Sequence, residues 1–107
     1  MKNNMELKVK RWQKPEPPGE IELREEFFRE GLFPFDWSNL PGDFYPPHVH
    51  PFDTITYVLR GSVTWILMET GEEVEAHAGD RVELPRGLVH AARIGSQGVV
   101  CIEGHRD

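Results

Sequence analysis

The sequence predicts an all-β fold: a small β-barrel of two facing sheets, preceded by one helix. From Phe33 onward, apolar residues recur at every second position in short runs. Turn signals interrupt those runs about every ten residues, the pattern of a sandwich or barrel. Upstream, only residues 20–30 have helical character.

The chain opens with a polar arm, residues 1–19, ahead of a single domain, residues 20–107. Leu7 and Val9 alternate with Lys8 and Lys10, which predicts a short edge strand. Pro15, Pro17 and Pro18 end it. Pro18 and Gly19 precede the helix, and Glu20, Glu22, Glu25 and Glu26 crowd its first half. Acidic side chains there suit the positive end of the helix dipole, and Gly31 supplies a stop. A narrow apolar stripe through Ile21 and Phe28, extended by Phe27 and Leu32, predicts packing of one side on a sheet.

Six or more strands follow. Phe33, Phe35 and Trp37 alternate with Pro34, Asp36 and Ser38. Gly42 opens a loop. Ile55, Tyr57 and Leu59 form a strand that Arg60-Gly61 turns into the next, Val63, Trp65 and Leu67. Val74 to His77 is turned by Ala78-Gly79-Asp80 into Val82 and Leu84. Leu88 to Ile94 and Val99 to Ile102 complete the series. No internal repeat or low-complexity segment is present.

At 107 residues the chain is one domain, able to bury a core without staples. A net charge of -6 and a pI near 5.3 weigh against a nucleic-acid partner and give no basic anchor for membranes. The lone Cys101 excludes an internal disulfide framework. No apolar stretch approaches the ~20 residues of a membrane span. MKNNMELKVKRW has no signal-peptide core, so a cytoplasmic location is expected.

Chemistry concentrates in two glycine-framed segments. The first, GDFYPPHVHPFDTITYVLRG, runs from Gly42 to Gly61 and the second, GDRVELPRGLVHAARI, from Gly79 to Ile94. His48 and His50 stand two apart, and in a strand such residues point to one face. His90 follows a Pro-Arg-Gly turn and could bring a third nitrogen to the same point. Taken singly, His48 and His50 read as loop histidines beside prolines, and His90 as a core histidine. Taken together they read as a metal site.

The two frames resemble the two motifs of the cupin superfamily, small jelly-roll-like barrels. Gly42, His48, His50 and Gly61 fall on the first motif; Gly79, Pro85, Gly87 and His90 fall on the second. The resemblance implies His48, His50 and His90 as ligands of one divalent transition metal: Fe, Mn, Ni, Cu or Zn. Two positions depart from it. The first motif's glutamate falls at Thr54, a poor ligand, with Asp53 one place earlier on the opposite strand face; the second motif's closing asparagine is Ile94. A three-histidine site of this kind resembles, in ligand count, that of the thiol-dioxygenase branch of cupins. Three neutral imidazoles would leave positions open for water or substrate.

Other residues read as structural. Cys101, in the apolar run Val99 to Ile102, is a packing residue. Phe33, Phe35, Trp37, Tyr57 and Trp65 serve core or subunit packing, with pocket lining as the other role. His77 and His105 read as surface residues, Glu83 as exposed or at a rim, and Arg81 and Arg93 as salt-bridge partners. Two functions fit: a metal-dependent, oxygenase-like enzyme acting on a small molecule, and a non-catalytic small-molecule or metal-sensing module. The apolar surplus at Trp12, Ile21, Phe27 and Phe28 predicts a homodimer.

Overall fold

A computed structural model describes residues 6–107; the first five residues of the expected arm lie outside the described residues. The elements are β1 (Lys8–Lys10), α1 (Glu20–Arg29), β2 (Phe35–Asn39), β3 (Phe44–His48), β4 (Asp53–Leu67), β5 (Glu73–His77), β6 (Arg81–Leu84) and β7 (His90–Arg106). All strand pairings are antiparallel. None of the helices in the described residues is long and apolar enough to cross a membrane.

β4 and β7 run side by side and set the architecture. The first half of β4 pairs with β6 and with the far half of β7, which also carries β2; β1 adds to the free edge of β6. The second half of β4 pairs with β5 and with the near half of β7, which carries β3. The two halves fold over one another into a jelly roll whose outer edges stay open.

The corner between the halves corrects one expectation. Arg60-Gly61 is no hairpin turn: β4 continues through it as one strand of 15 residues, and β7 is likewise one strand of 17. The β4–β7 register slips between Val58 and Arg60 and again between Gly61 and Val63. Bulges of this kind bend and twist a strand without ending it. Gly61 has φ +81, and a Cβ there would lie 2.0 Å from the Gly98 carbonyl oxygen, so glycine is required twice over.

The interior between the halves is apolar near that corner. Val58, Val82 and Cys101 of one half meet Val63, Ala76 and Ile94 of the other, all essentially buried. A second cluster lies outside the first half, where Ile55, Tyr57, Leu59 and Ile102 are covered by Leu23 and Phe27 of α1 and by Leu32. Both faces of this part of β4 are therefore covered, giving an unbroken buried run from Thr54 to Leu59.

The helix packs one side on the sheet as expected, and Phe27 and Leu32 of the expected stripe are buried, but Ile21 and Phe28 are not. Leu23 and Phe27, four residues apart, are buried, whereas Ile21 is 74% and Phe28 59% exposed. Phe27 meets Tyr57 edge-on at 5.4 Å and sits over Gly104, where a Cβ would come within 2.9 Å of the ring. Gly104 thus leaves the room that the Phe27 ring occupies.

The arm is fastened by one carboxylate. Asp80, almost fully buried, accepts hydrogen bonds from the backbone N–H of Trp12 and of His77 (2.9 Å each) and from Arg11 (2.8 Å).

The corner makes a stability prediction. Gly61→Ala should cost about 3 kcal/mol, combining left-handed backbone strain with the clash against Gly98. Gly71 also has positive φ but open space around it, so Gly71→Ala should cost only about 1–2 kcal/mol. Urea unfolding of the two variants checks the ranking; equal losses would contradict this account of the corner.

Candidate metal centre

The three framed histidines come together at the end of the interior farthest from the corner. His48 closes β3 and pairs in register with His90, the first residue of β7. His50 lies in the loop beyond β3 rather than in a strand, so the expected same-strand spacing does not place it. A clip between loops does. The Gly87 N–H donates to the His50 carbonyl (3.0 Å), and the Arg86 N–H donates to Asp53 Oδ1 (2.8 Å). The Pro85-Arg86-Gly87 turn thus holds the His50–Asp53 loop against it.

One ligand atom from each of His48, His50 and His90 lies within 4.8 Å of the others, and the ring centroids are 4.3–5.2 Å apart. His90 is buried; the other two are half-buried. His48 Nδ1 lies 2.7 Å from the Pro46 carbonyl and His90 Nδ1 2.8 Å from that of Leu88. A carbonyl only accepts, so in both rings Nδ1 carries the hydrogen and Nε2 keeps its lone pair. Metal-ligating histidines are ordinarily oriented in this way. Burial, and after it the neighbouring imidazoles, hold the pKa of His50 below the usual histidine range; burial likewise lowers that of His90. His50 and His90 thus favour neutral imidazole, and the three histidines together could hold a divalent metal.

The other candidates separate. Asp53 faces Arg86, whose backbone and side-chain hydrogen bonds lower its pKa, and takes no part in the histidine cluster. Thr54 lies in the cavity wall but adds no ligand-type group to the cluster. Cys101 is fully buried, and burial pushes its thiol well up, as a packing residue requires. Arg93 pairs with Glu73 at the surface, while Arg81 is a half-buried hub joining Glu30, Glu83 and the Tyr57 hydroxyl. His77 is exposed. His105 is not a plain surface residue: it stacks on Phe52 at 4.0 Å and contacts Glu103.

The histidines open onto a cavity of about 200 Å³. Trp37, Tyr45 and Trp65 give it aromatic walls; Thr54, Thr56 and Glu103 give it polar ones. Tyr57 lies on the other side of the sheet, beneath the helix, and Phe33 and Phe35 are exposed. Sequence reasoning passed over Glu103. Its signal was a lone acid two residues beyond buried Cys101, on the same strand face.

The family model described as a Cupin domain matches residues 37–103. The chain belongs to the cupin family. No curated protein matches this cupin in sequence. Among solved structures it is similar to the polyketide cyclase RemF from Streptomyces resistomycificus, at 26% identity and a TM-score of 0.63 over 71% of this chain and 55% of that one. It is similar to the DMSP lyase DddQ from Ruegeria pomeroyi DSS-3, at 26% identity and a TM-score of 0.64 over 71% of this chain and 38% of that one. An RmlC-like cupin from Shewanella frigidimarina NCIMB 400 shares the fold at 22% identity and a TM-score of 0.59, over 69% and 64% of the two chains. This cupin spans less than two thirds of the length of each.

Two predictions follow from the geometry. Asp53→Asn keeps the acceptor for the Arg86 N–H, so metal stoichiometry measured by calorimetry should be unchanged, whereas His90→Ala should lower affinity at least ~tenfold. The pH dependence has a definite sign. With His50 and His90 shifted below the ordinary ~6.5, metal affinity should hold as pH falls to ~6.5 and decline only beneath it, as protons compete for the imidazoles. The metal-free protein should lose stability over the same window, because the unfolded chain takes up these protons first. A decline in affinity centred above pH ~6.5 would contradict both.

Proposed function

We propose that this cupin is a metal-dependent enzyme of oxygenase type acting on a small molecule, with one divalent transition metal held by His48, His50 and His90. The observation that carries this reading is the convergence of three imidazoles, two with their free nitrogen fixed by backbone carbonyls, on a partly open cavity with aromatic walls. A metal held by three protein ligands would supply open coordination positions and Lewis acidity to a bound small molecule. The chain's own residues orient the ligand set, leave Nε2 of His48 and His90 free to coordinate, and flank the site with Trp37, Tyr45 and Trp65. The cavity is below the ~300–1,000 Å³ of drug-sized sites, which favours a compact substrate. Neighbours named as a cyclase and a lyase support a small-molecule reaction without fixing which one.

One observation favours a second reading, a non-catalytic metabolite- or metal-sensing module: Thr54 stands where the motif carboxylate would otherwise ligate. The test is metal analysis of protein purified without added metal, then a substrate screen with each of Fe, Mn, Ni, Cu and Zn restored. His50→Ala should abolish metal binding and turnover together. Turnover retained by a metal-free His50→Ala protein would overturn the enzyme reading. Stoichiometric metal with no turnover of any compound would favour the module.

We also infer a homodimer. Ile21 and Phe28 leave an apolar face on α1, and Phe33 beside it is 86% exposed. Sedimentation at micromolar concentration should give twice the chain mass, and Phe28→Glu should return it to one chain; a wild-type monomer would contradict this.

A further inference from the structure

Glu103 lies in the cavity wall although neither histidine frame contains it. Among the described residues it is the one Asp, Glu, Lys or Arg in that wall, and its side chain is only 16% exposed. Oε1 accepts from Trp37 Nε1–H (2.9 Å) and from the Thr56 hydroxyl (3.1 Å), and Oε2 lies 2.7 Å from His105 Nε2. A carboxylate offers about four lone-pair positions on two oxygens. Oε1 is filled, and Oε2 retains one.

Two further groups in the same wall are unpartnered. Thr54 is 3% and Trp65 4% exposed, yet neither the Thr54 hydroxyl nor the Trp65 Nε1–H has a hydrogen-bond partner among the described residues. No fully enclosed side-chain nitrogen or oxygen there lacks a partner, so both polar atoms adjoin open space. Buried polar groups are ordinarily satisfied, and a wall that leaves several unpaired is built for something that enters.

We propose that Glu103 is the second anchor of the cavity, accepting a hydrogen bond from a hydroxyl or ammonium group of a small ligand whose other end carries an anionic or Lewis-basic group for the metal. Thr54 and Trp65 serve polar atoms between the two ends, and the aromatic walls hold a short carbon chain. Among the described residues no lysine or arginine lines the cavity, so a bound metal alone would attract the anionic end. The proposal rests on the metal-centre reading above.

The test uses zinc-loaded protein and a matched pair of probe series: straight-chain carboxylates of three to five carbons, and the same acids with a hydroxyl at the far end. Calorimetry should show at least one hydroxy acid binding about tenfold tighter than its matched carboxylate, the scale of a hydrogen bond to a charged acceptor. In Glu103→Gln that advantage should shrink at least ~threefold, because a neutral amide replaces a charged acceptor, with zinc stoichiometry unchanged. The indole of Trp37 must still donate, so the glutamine oxygen stays with it and the NH2 replaces Oε2, offering the ligand hydroxyl a neutral donor in place of a charged acceptor. Should Glu103→Gln fail to fold, the wild-type Trp37 indole N–H resonance serves instead: it should move with the hydroxy acid and stay still with the matched carboxylate. No preference at any length, a preference undiminished in Glu103→Gln, or an indole signal indifferent to the hydroxyl overturns the proposal. If zinc itself does not bind, the metal reading falls and this one with it. If zinc and plain carboxylates bind but the hydroxyl adds nothing, only the Glu103 anchor falls.

Discussion

The bend shared by β4 and β7 is the constraint on which the rest of this cupin depends. Two long antiparallel strands would form a flat ribbon with no interior. Slipping register around Gly61, where only a hydrogen fits against the Gly98 carbonyl, folds the ribbon onto itself. One strand then contributes to both walls of the interior. Thr54 and Thr56 face Trp65 of the same strand across the cavity, and Glu103 and His90 come from opposite halves of β7. Near the bend the walls meet and exclude water with valine, isoleucine and cysteine; away from it they part, and the side chains become polar.

That gradient separates the histidine cluster from the close-packed core at opposite ends of one small domain. Close packing needs apolar side chains of matched volume, and the corner supplies them. A ligand site needs polar groups held without full mutual satisfaction, which is tolerable only where the walls separate. The histidines are partly compensated there: backbone carbonyls of Pro46 and Leu88 accept their Nδ1 hydrogens, and burial keeps His50 and His90 toward the neutral state. A buried imidazole so arranged is a ligand in waiting rather than an uncompensated charge.

The outer layer stabilises the half that carries Glu103. α1 covers Ile55, Tyr57 and Ile102 on the reverse of the strands whose inner faces carry Thr54, Thr56 and Glu103. Arg81 ties the end of the helix to β6 through Glu30 and Glu83, and its hydrogen bonds with Glu30 hold that carboxyl below its usual range. Asp80 fastens the arm to the β5–β6 turn. The cavity's polar wall is therefore backed by a second hydrophobic layer rather than by solvent.

Local pattern was enough for the β-rich class, the single helix, most strand positions and the two histidine frames, because period-two alternation, turn residues and glycine spacing are properties of neighbouring residues. The same frames named His48, His50 and His90, which the fold brings within reach of one ion. Other features depended on partners distant in the chain. Arg60-Gly61 reads as a turn until Gly98 lies against it and the strand is seen to continue. Ile21 and Phe28 look as fit for burial as Leu23 and Phe27 until the sheet lies against the face that carries the latter pair. Asp53 sits beside the site in sequence, yet the Arg86 N–H draws it to the loop clip. Glu103 stands thirteen residues beyond His90 and outside both frames, and only the bend in β7 brings it into the same cavity. Sequence by itself determined which residues alternate and which are framed; tertiary structure decided which faces are covered and which side chains share a cavity, because burial and convergence are set by contacts between segments far apart along the chain.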